Sequence, residues 1–116
     1  MMTEDREEEV RTEPREFGVD VRDGDGEVTV AIEGEVDLYT APKLREHLDE
    51  AIDRGTDRLV VDLTRMDFID STGLGVLVGA QKRLREGGGE MTLRNPSRST
   101  HKILEIAGLT QLFTIE

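Results

Sequence analysis

Leu59 to Leu63, "LVVDL", restricts the fold more than any other stretch of this chain. Four of its five side chains are apolar and they do not alternate with polar ones, the pattern of a strand covered on both faces. Such a strand belongs in the middle of a sheet, with other elements packed around it.

The flanking sequence supplies those elements. "FGVDVR" alternates Phe17, Val19 and Val21 on one face, and "VTVAIEG" does the same with Val28, Val30 and Ile32. "DGDG", Asp23 to Gly26, offers the positive φ angles of a hairpin between them. After Gly34 the period changes: Thr40 can cap a helix, Pro42 is tolerated in its first turn, and Leu44, Leu48, Ala51 and Ile52 recur at helical spacing up to Gly55. Beyond the central strand, a helix is expected over Ser71 to Glu86, closed by Gly87 to Gly89, followed by a strand at "MTLR". Asn95 is the expected cap of a third helix with Pro96 at its first position, Ile103, Leu104 and Ala107 as its buried stripe, and Gly108 as its stop. "LFTI" closes the chain as a short strand. The order β-β-α-β-α-β-α-β makes this an α/β domain, a mixed β-sheet packed with α-helices.

A length of 116 residues allows one compact core. The net charge of −11 argues against nucleic acid and anionic membrane as partners, since both would repel the chain. It favours a partner with a basic or apolar docking surface. Residues 1–15 are charged, nearly free of apolar side chains and close on Pro14, so they read as a disordered acidic tail ahead of a domain over 16–116. Cysteine is absent, which excludes disulfides and thiolate zinc sites and makes the cytoplasm the expected compartment. No apolar run approaches the roughly 18 residues needed to span a bilayer, and the acidic start is unlike a signal peptide. With few aromatics and no Trp, base-stacking platforms are not expected. No internal repeat is present.

The stretch "FIDSTGLG", Phe68 to Gly75, carries the chemistry. It places a hydroxyl pair between an aspartate and two glycines where strand gives way to helix. Ser71 has three readings. As a helix N-cap it would hold an unpaired amide, a role that Thr72 could also take. As a nucleophile it would need a base, yet His47 and His101 lie in no recognisable motif and the glycine of a hydrolase elbow is missing. As a phosphoacceptor it would face the partial positive charge at the helix start, while about −1.5 to −2 of new charge landed beside Asp70. The helix that follows is apolar all round in its first two turns, at Leu74, Val76, Leu77 and Val78, and polar from Gln81 except for Leu84. Gly73, Gly75 and Gly79 each cost roughly 1 kcal/mol against alanine there, which implies close approach by another backbone, either this domain's own sheet or a second protein. The glycine spacing misses both the dinucleotide fingerprint and the P-loop. Asp62 and Asp70 bracket the strand end like receiver-domain acids, but no acidic pair follows the first strand to complete a metal site.

At this point a family resemblance is specific. "VVDLTRMDFIDSTGLGVLVGAQKRLREGGGEMTLRNPSRSTHKILEIAGLTQLF", with "IEGEVDLYTAPKLREHL", resembles the STAS domains of bacterial anti-sigma factor antagonists, over about residues 17 to 115. The Asp-Ser-Thr-Gly-Leu-Gly motif carries it, supported by the turn from Gly34 to Asp37. The resemblance implies a binding module and not an enzyme, with no cofactor of its own. By that resemblance, the unphosphorylated domain would bind an anti-sigma factor serine kinase of the GHKL type and free the sigma factor. The kinase, with ATP and magnesium in its own site, would phosphorylate Ser71 and abolish tight binding, and a PP2C-type phosphatase would restore it. Asp37 and the turn of Asp70, Thr72, Gly73, Leu74 and Gly75 form the implied docking surface, with apolar Leu74, Val76 and Val78 as its dry patch. Asp37 can equally be a loop acid bonding nearby amides. Two alternatives stay open: a STAS scaffold of another signalling or transport assembly, and a small hydrolase using Ser71 with His47 or His101. The acidic leader is foreign to the domain pattern; it would solubilise the chain, or steer docking in a salt-dependent way.

Overall fold

The computed structural model describes residues 15–116, so the acidic lead expected over 1–15 falls outside the described residues except for Arg15. Strands β1 (Gly18–Gly24) and β2 (Glu27–Val36) form the expected antiparallel hairpin, and Gly26 takes the positive φ of 72° that its turn needs. Helix α1 (Ala41–Asp53), strand β3 (Arg58–Ile69), helix α2 (Ser71–Glu86), strand β4 (Glu90–Arg94), helix α3 (Arg98–Ile106) and strand β5 (Thr114–Ile115) follow. The sheet runs β1-β2-β3-β4-β5, parallel throughout except at the hairpin, so β3 is its middle strand. Parallel neighbours need crossover connections, and the three helices provide them.

Burial follows the sequence periods. Val28, Val30, Ile32 and Val36 of β2 and Leu59, Val61 and Leu63 of β3 meet Leu44, Leu48 and Ala51 of α1 and Val76, Leu77, Ala80 and Leu84 of α2 in one core. Each fully buried Leu, Val or Ile contributes roughly 1.5–3 kcal/mol. Val60 is also buried but stands outside that core, on the other face, between its register neighbours Thr29 and Thr92. Farther along that face a groove of about 570 Å³ opens over Thr29, Ala31, Glu33, Asp62 and Arg65. The expected cover on both faces of β3 is thus reached at Val60 and not at Asp62 or Thr64.

Three local expectations are corrected. Gln81, assigned to the polar half of α2, is fully buried: its amide donates to the Leu112 carbonyl (2.7 Å) and accepts from Met91 N–H (3.1 Å), clamping α2 to β4 and the C-terminal loop. Asn95 does not cap α3. It takes φ 55°, a left-handed conformation that Asn tolerates, and Ser97 caps instead by accepting from Thr100 N–H at 3.1 Å. Ala107 is exposed and Ile103 half-buried, because α3 spans only 9 residues and sinks Leu104 alone among its expected stripe.

Two irregularities between β2 and β3 shape the end of the sheet that leads into α2. Pairing passes from Ala31↔Asp62 to Glu33↔Arg65, and from Gly34↔Met66 to Glu35↔Phe68, so β3 gains one residue at each step. Such bulges re-aim the side chains beyond them. Burial along β3 then falls on Leu63, Met66 and Ile69, every third residue, and Phe68 is left on the outer side. Gly34 sits between the two shifts at φ 86°, and a Cβ there would lie 2.6 Å from the Arg15 carbonyl oxygen. The incoming chain crosses that glycine and is held by Asp67, whose carboxylate accepts from Arg15 N–H and from its guanidinium, each at 2.8 Å.

Candidate partner-docking site

The turn from β3 into α2 is built around Asp70. Its N–H donates to the Val36 carbonyl at 3.1 Å, tying the end of β2 to the end of β3. Its backbone is extended (φ −101°, ψ −174°) and its carboxylate accepts from Gly73 N–H at 3.0 Å. Asp70 is therefore the N-cap, and neither Ser71 nor Thr72 is. Ser71 is already the first helical residue, one position too late for a side chain to reach back to the orphan amides. Both hydroxyl residues are exposed.

The glycines of α2 divide sharply. A Cβ on Gly73 would lie 2.7 Å from both Ile69 Cγ1 and Val36 Cγ1, so this glycine is demanded by the domain's own sheet. Gly75 and Gly79 would meet nothing within 4 Å. They line a shallow groove between α1 and α2 with Arg45, Leu48, Asp49 and Arg83. Val76, expected in an exposed apolar patch, is buried in the core; Leu74 and Val78 are half-buried. The helix turns its i, i+3, i+4 stripe to the sheet, and Val76 falls on that stripe.

The loop before α1 supplies the second half of the site. Asp37 accepts from Tyr39 N–H (2.9 Å) and Thr40 N–H (3.0 Å), while Thr40 Oγ1 accepts from Asp37 N–H (2.9 Å) and donates toward the Glu35 carbonyl (2.9 Å) or the Asp37 carboxylate (3.2 Å). Thr40, expected to cap α1 with its side chain, spends its hydroxyl on this loop and makes no such cap. Its backbone N–H is the main reason the Asp37 carboxyl is held below the usual carboxylate range; partial desolvation opposes the shift, and the Tyr39 N–H and Thr40 hydroxyl reinforce it. The loop-acid role of Asp37 is thus realised, and its consequence is a fixed turn that points Leu38 and Tyr39 outward, 65 % and 87 % exposed.

Pairing of Val36 with Ile69 brings the two halves together, so Asp37 and the Asp70–Gly75 turn share one end of the sheet. Phe68, 47 % exposed and opposite Glu35, stands at the same end. Leu38, Tyr39 and Phe68 are the residues that sequence reasoning missed. Tyr39 was legible as the chain's single tyrosine in a turn; Phe68 was not, because its direction depends on the bulges.

The residues of the other chemical readings do not gather here. His47 Nδ1 pairs with the Lys43 carbonyl at 2.9 Å and His101 Nδ1 lies 3.8 Å from Glu105, each within its own helix. Asp62 is mid-strand, on the outer face, accepting from Thr64 N–H and Oγ1, and does not bracket the strand end with Asp70. Among the described residues no three His, Cys, Asp or Glu stand close enough to hold a metal ion, and no helix is long and apolar enough to cross a membrane.

Known proteins resemble the chain in sequence and in fold. The STAS domain family model matches residues 18–116. The anti-sigma-B factor antagonist of Bacillus subtilis is 39% identical over 99 residues, covering 85% of this chain and 90% of that protein. The anti-sigma F factor antagonist of Paenibacillus polymyxa is 35% identical over 91 residues, 78% of each chain. Among solved structures, an anti-sigma factor antagonist from Mycobacterium paratuberculosis superposes with a TM-score of 0.79 at 27% identity, over 86% of this chain and 85% of that one. The unphosphorylated form of the antagonist SpoIIAA superposes at 0.74, with 24% identity over 85% and 88% of the two chains, and shares the fold.

Proposed function

The chain belongs to the STAS-domain family, and from that premise we propose that it is an anti-sigma factor antagonist that docks through the Ser71 end of its sheet and is switched by phosphorylation of Ser71. One observation carries the reading: Ser71 stands exposed at the first position of α2, at the same end of the sheet as outward-facing Leu38, Tyr39 and Phe68. In the unmodified state these side chains, with half-buried Leu74 and open Gly75, offer an apolar surface that a partner can dry on contact. Asp37, Asp70, Thr72 and Gly73 hold or border that surface. The partner is an anti-sigma factor of the GHKL serine-kinase type, so that its capture frees a sigma factor.

Phosphorylation reverses the preference by electrostatics. The kinase would transfer the γ-phosphoryl of its ATP to Ser71 Oγ, releasing ADP, with the hydroxyl proton leaving to the kinase or solvent. The first two amides of α2 are not used by the Asp70 cap, which takes Gly73 N–H, so they can solvate the new anion and the fold is not disturbed. The docked state fares differently. About −1.5 to −2 of charge beside the Asp70 carboxylate would have to be desolvated against an apolar partner surface. A PP2C-type phosphatase would reset the switch. The test is intact-mass measurement after incubation with a GHKL kinase and ATP, alongside binding of both forms. One added phosphoryl group, absent in Ser71→Ala, and loss of tight binding on modification are expected. Equal affinity of the two forms sinks the reading.

A further inference from the structure

Strand β1 begins the sheet, and among the described residues its outer edge is paired with nothing. Open edges usually carry features that discourage pairing, such as charges. The two charges central to β1 are of opposite sign and stand on either side of Val21. Asp20 and Arg22 project on the outer face, 61 % and 80 % exposed, and at present satisfy only each other, Nε to carboxylate at 2.9 Å. On the core face Val19 and Val21 pack against the core from one side and remain half-buried at the edge.

An antiparallel edge is self-complementary only if its sequence tolerates a two-fold axis. Centred on Val21, such an axis sets Val21 against Val21 and, twice each, Asp20 against Arg22, Val19 against Asp23 and Gly18 against Gly24, with Asp23 already paired to Arg54 of its own copy at 3.4 Å. Both charges flanking the axis meet their opposites, and the apolar residue on the axis meets itself. We propose that two copies of the chain associate through β1, antiparallel about Val21, with Asp20 of each facing Arg22 of the partner copy and the two sheets made continuous. The interface is isologous, as a two-fold dimer requires. Directly opposed charge pairs stabilise cross-strand pairing and like pairs oppose it. A net charge of −11 on each chain works against association, so the dimer is weak and the reciprocal pairs decide whether it forms.

The charge pattern gives a test that distinguishes this register from any other contact. Sedimentation equilibrium of the full chain, across micromolar to millimolar concentration at physiological salt, is expected to show a monomer–dimer equilibrium. Asp20→Arg and Arg22→Asp, each placing like charges opposite one another, should weaken it about tenfold or more. An equimolar mixture of the two variants should dimerise again, because in the mixed pair the two arginines of one copy face the two aspartates of the other; the double swap should also restore the homodimer. The restored association also shows that each variant is folded. A wild-type chain that stays monomeric throughout, single variants that dimerise like the wild type, or a mixture that stays monomeric each overturns the proposal. None of these outcomes bears on Ser71 phosphorylation, which reads out separately.

Discussion

Replacing Gly73 by alanine is the most direct trial of how the site is built. The new methyl would lie 2.7 Å from Ile69 Cγ1, 2.7 Å from Val36 Cγ1 and 3.1 Å from Ile69 Cδ1. Both neighbours are locked in the core, 2% and 0% exposed, so neither can swing away, and one of the two must move or α2 must lift. Inserting a methyl into a packed interior costs about 1–3 kcal/mol. Alanine returns at most about 1 kcal/mol in helix propensity. Meeting two core side chains at once puts the cost in the upper part of that range, about 2–3 kcal/mol, so the net expectation is a loss of about 1–2 kcal/mol, with the start of α2 displaced from the sheet. Gly75→Ala and Gly79→Ala are the internal controls, since their methyl groups meet nothing within 4 Å. Each should gain about 0.5–1 kcal/mol from propensity and the restricted unfolded chain. Urea unfolding followed by circular dichroism measures all three, and thermal unfolding should move by about 4–8 °C per kcal/mol for a domain near this size. A Gly73→Ala variant as stable as the wild type, or a shift of all three variants in the same direction, would contradict this packing. On the proposed function, Gly75→Ala should also weaken partner docking while stabilising the free domain.

Removing the cap with Asp70→Ala should cost about 1 kcal/mol in chemical unfolding, and Asp70→Asn, which keeps an acceptor for Gly73 N–H, should recover most of it. Gln81→Leu keeps the volume but leaves Met91 N–H buried without its acceptor, so a loss of about 1–3 kcal/mol is expected by the same assay. Because the Asp37 carboxyl is held below its ordinary pKa, its contribution is fully present above the ordinary carboxylate range and is lost as pH falls through the lowered value. Amide exchange at Tyr39 and Thr40 should therefore stay protected at neutral pH and lose protection in acid, an effect absent in Asp37→Asn.

Much of the fold was legible because its elements follow local periods. The hairpin, the extent of α2 from Ser71 to Glu86 and the central place of Leu59–Leu63 all follow from side chains near in sequence. The strand-to-helix junction at Asp70 and Ser71 was legible too, since the change from strand to helix period there is a local pattern. What each residue does there was not. Sequence offered Ser71 or Thr72 as the cap where Asp70 takes the role, because all three side chains can accept from an amide and the choice rests on where the backbone leaves the extended region. Nor could it separate Gly73 from Gly75 and Gly79.

Residue type and spacing along the chain were enough for the element order, the acidic character and the family motif. They were not enough to tell which glycine is filled by the sheet and which lies open, how Phe68 comes to face outward past two bulges, or how Gln81 is buried between α2 and β4. Those outcomes depend on contacts between segments far apart in the chain, where a shift of one residue in register sends a side chain to the opposite face.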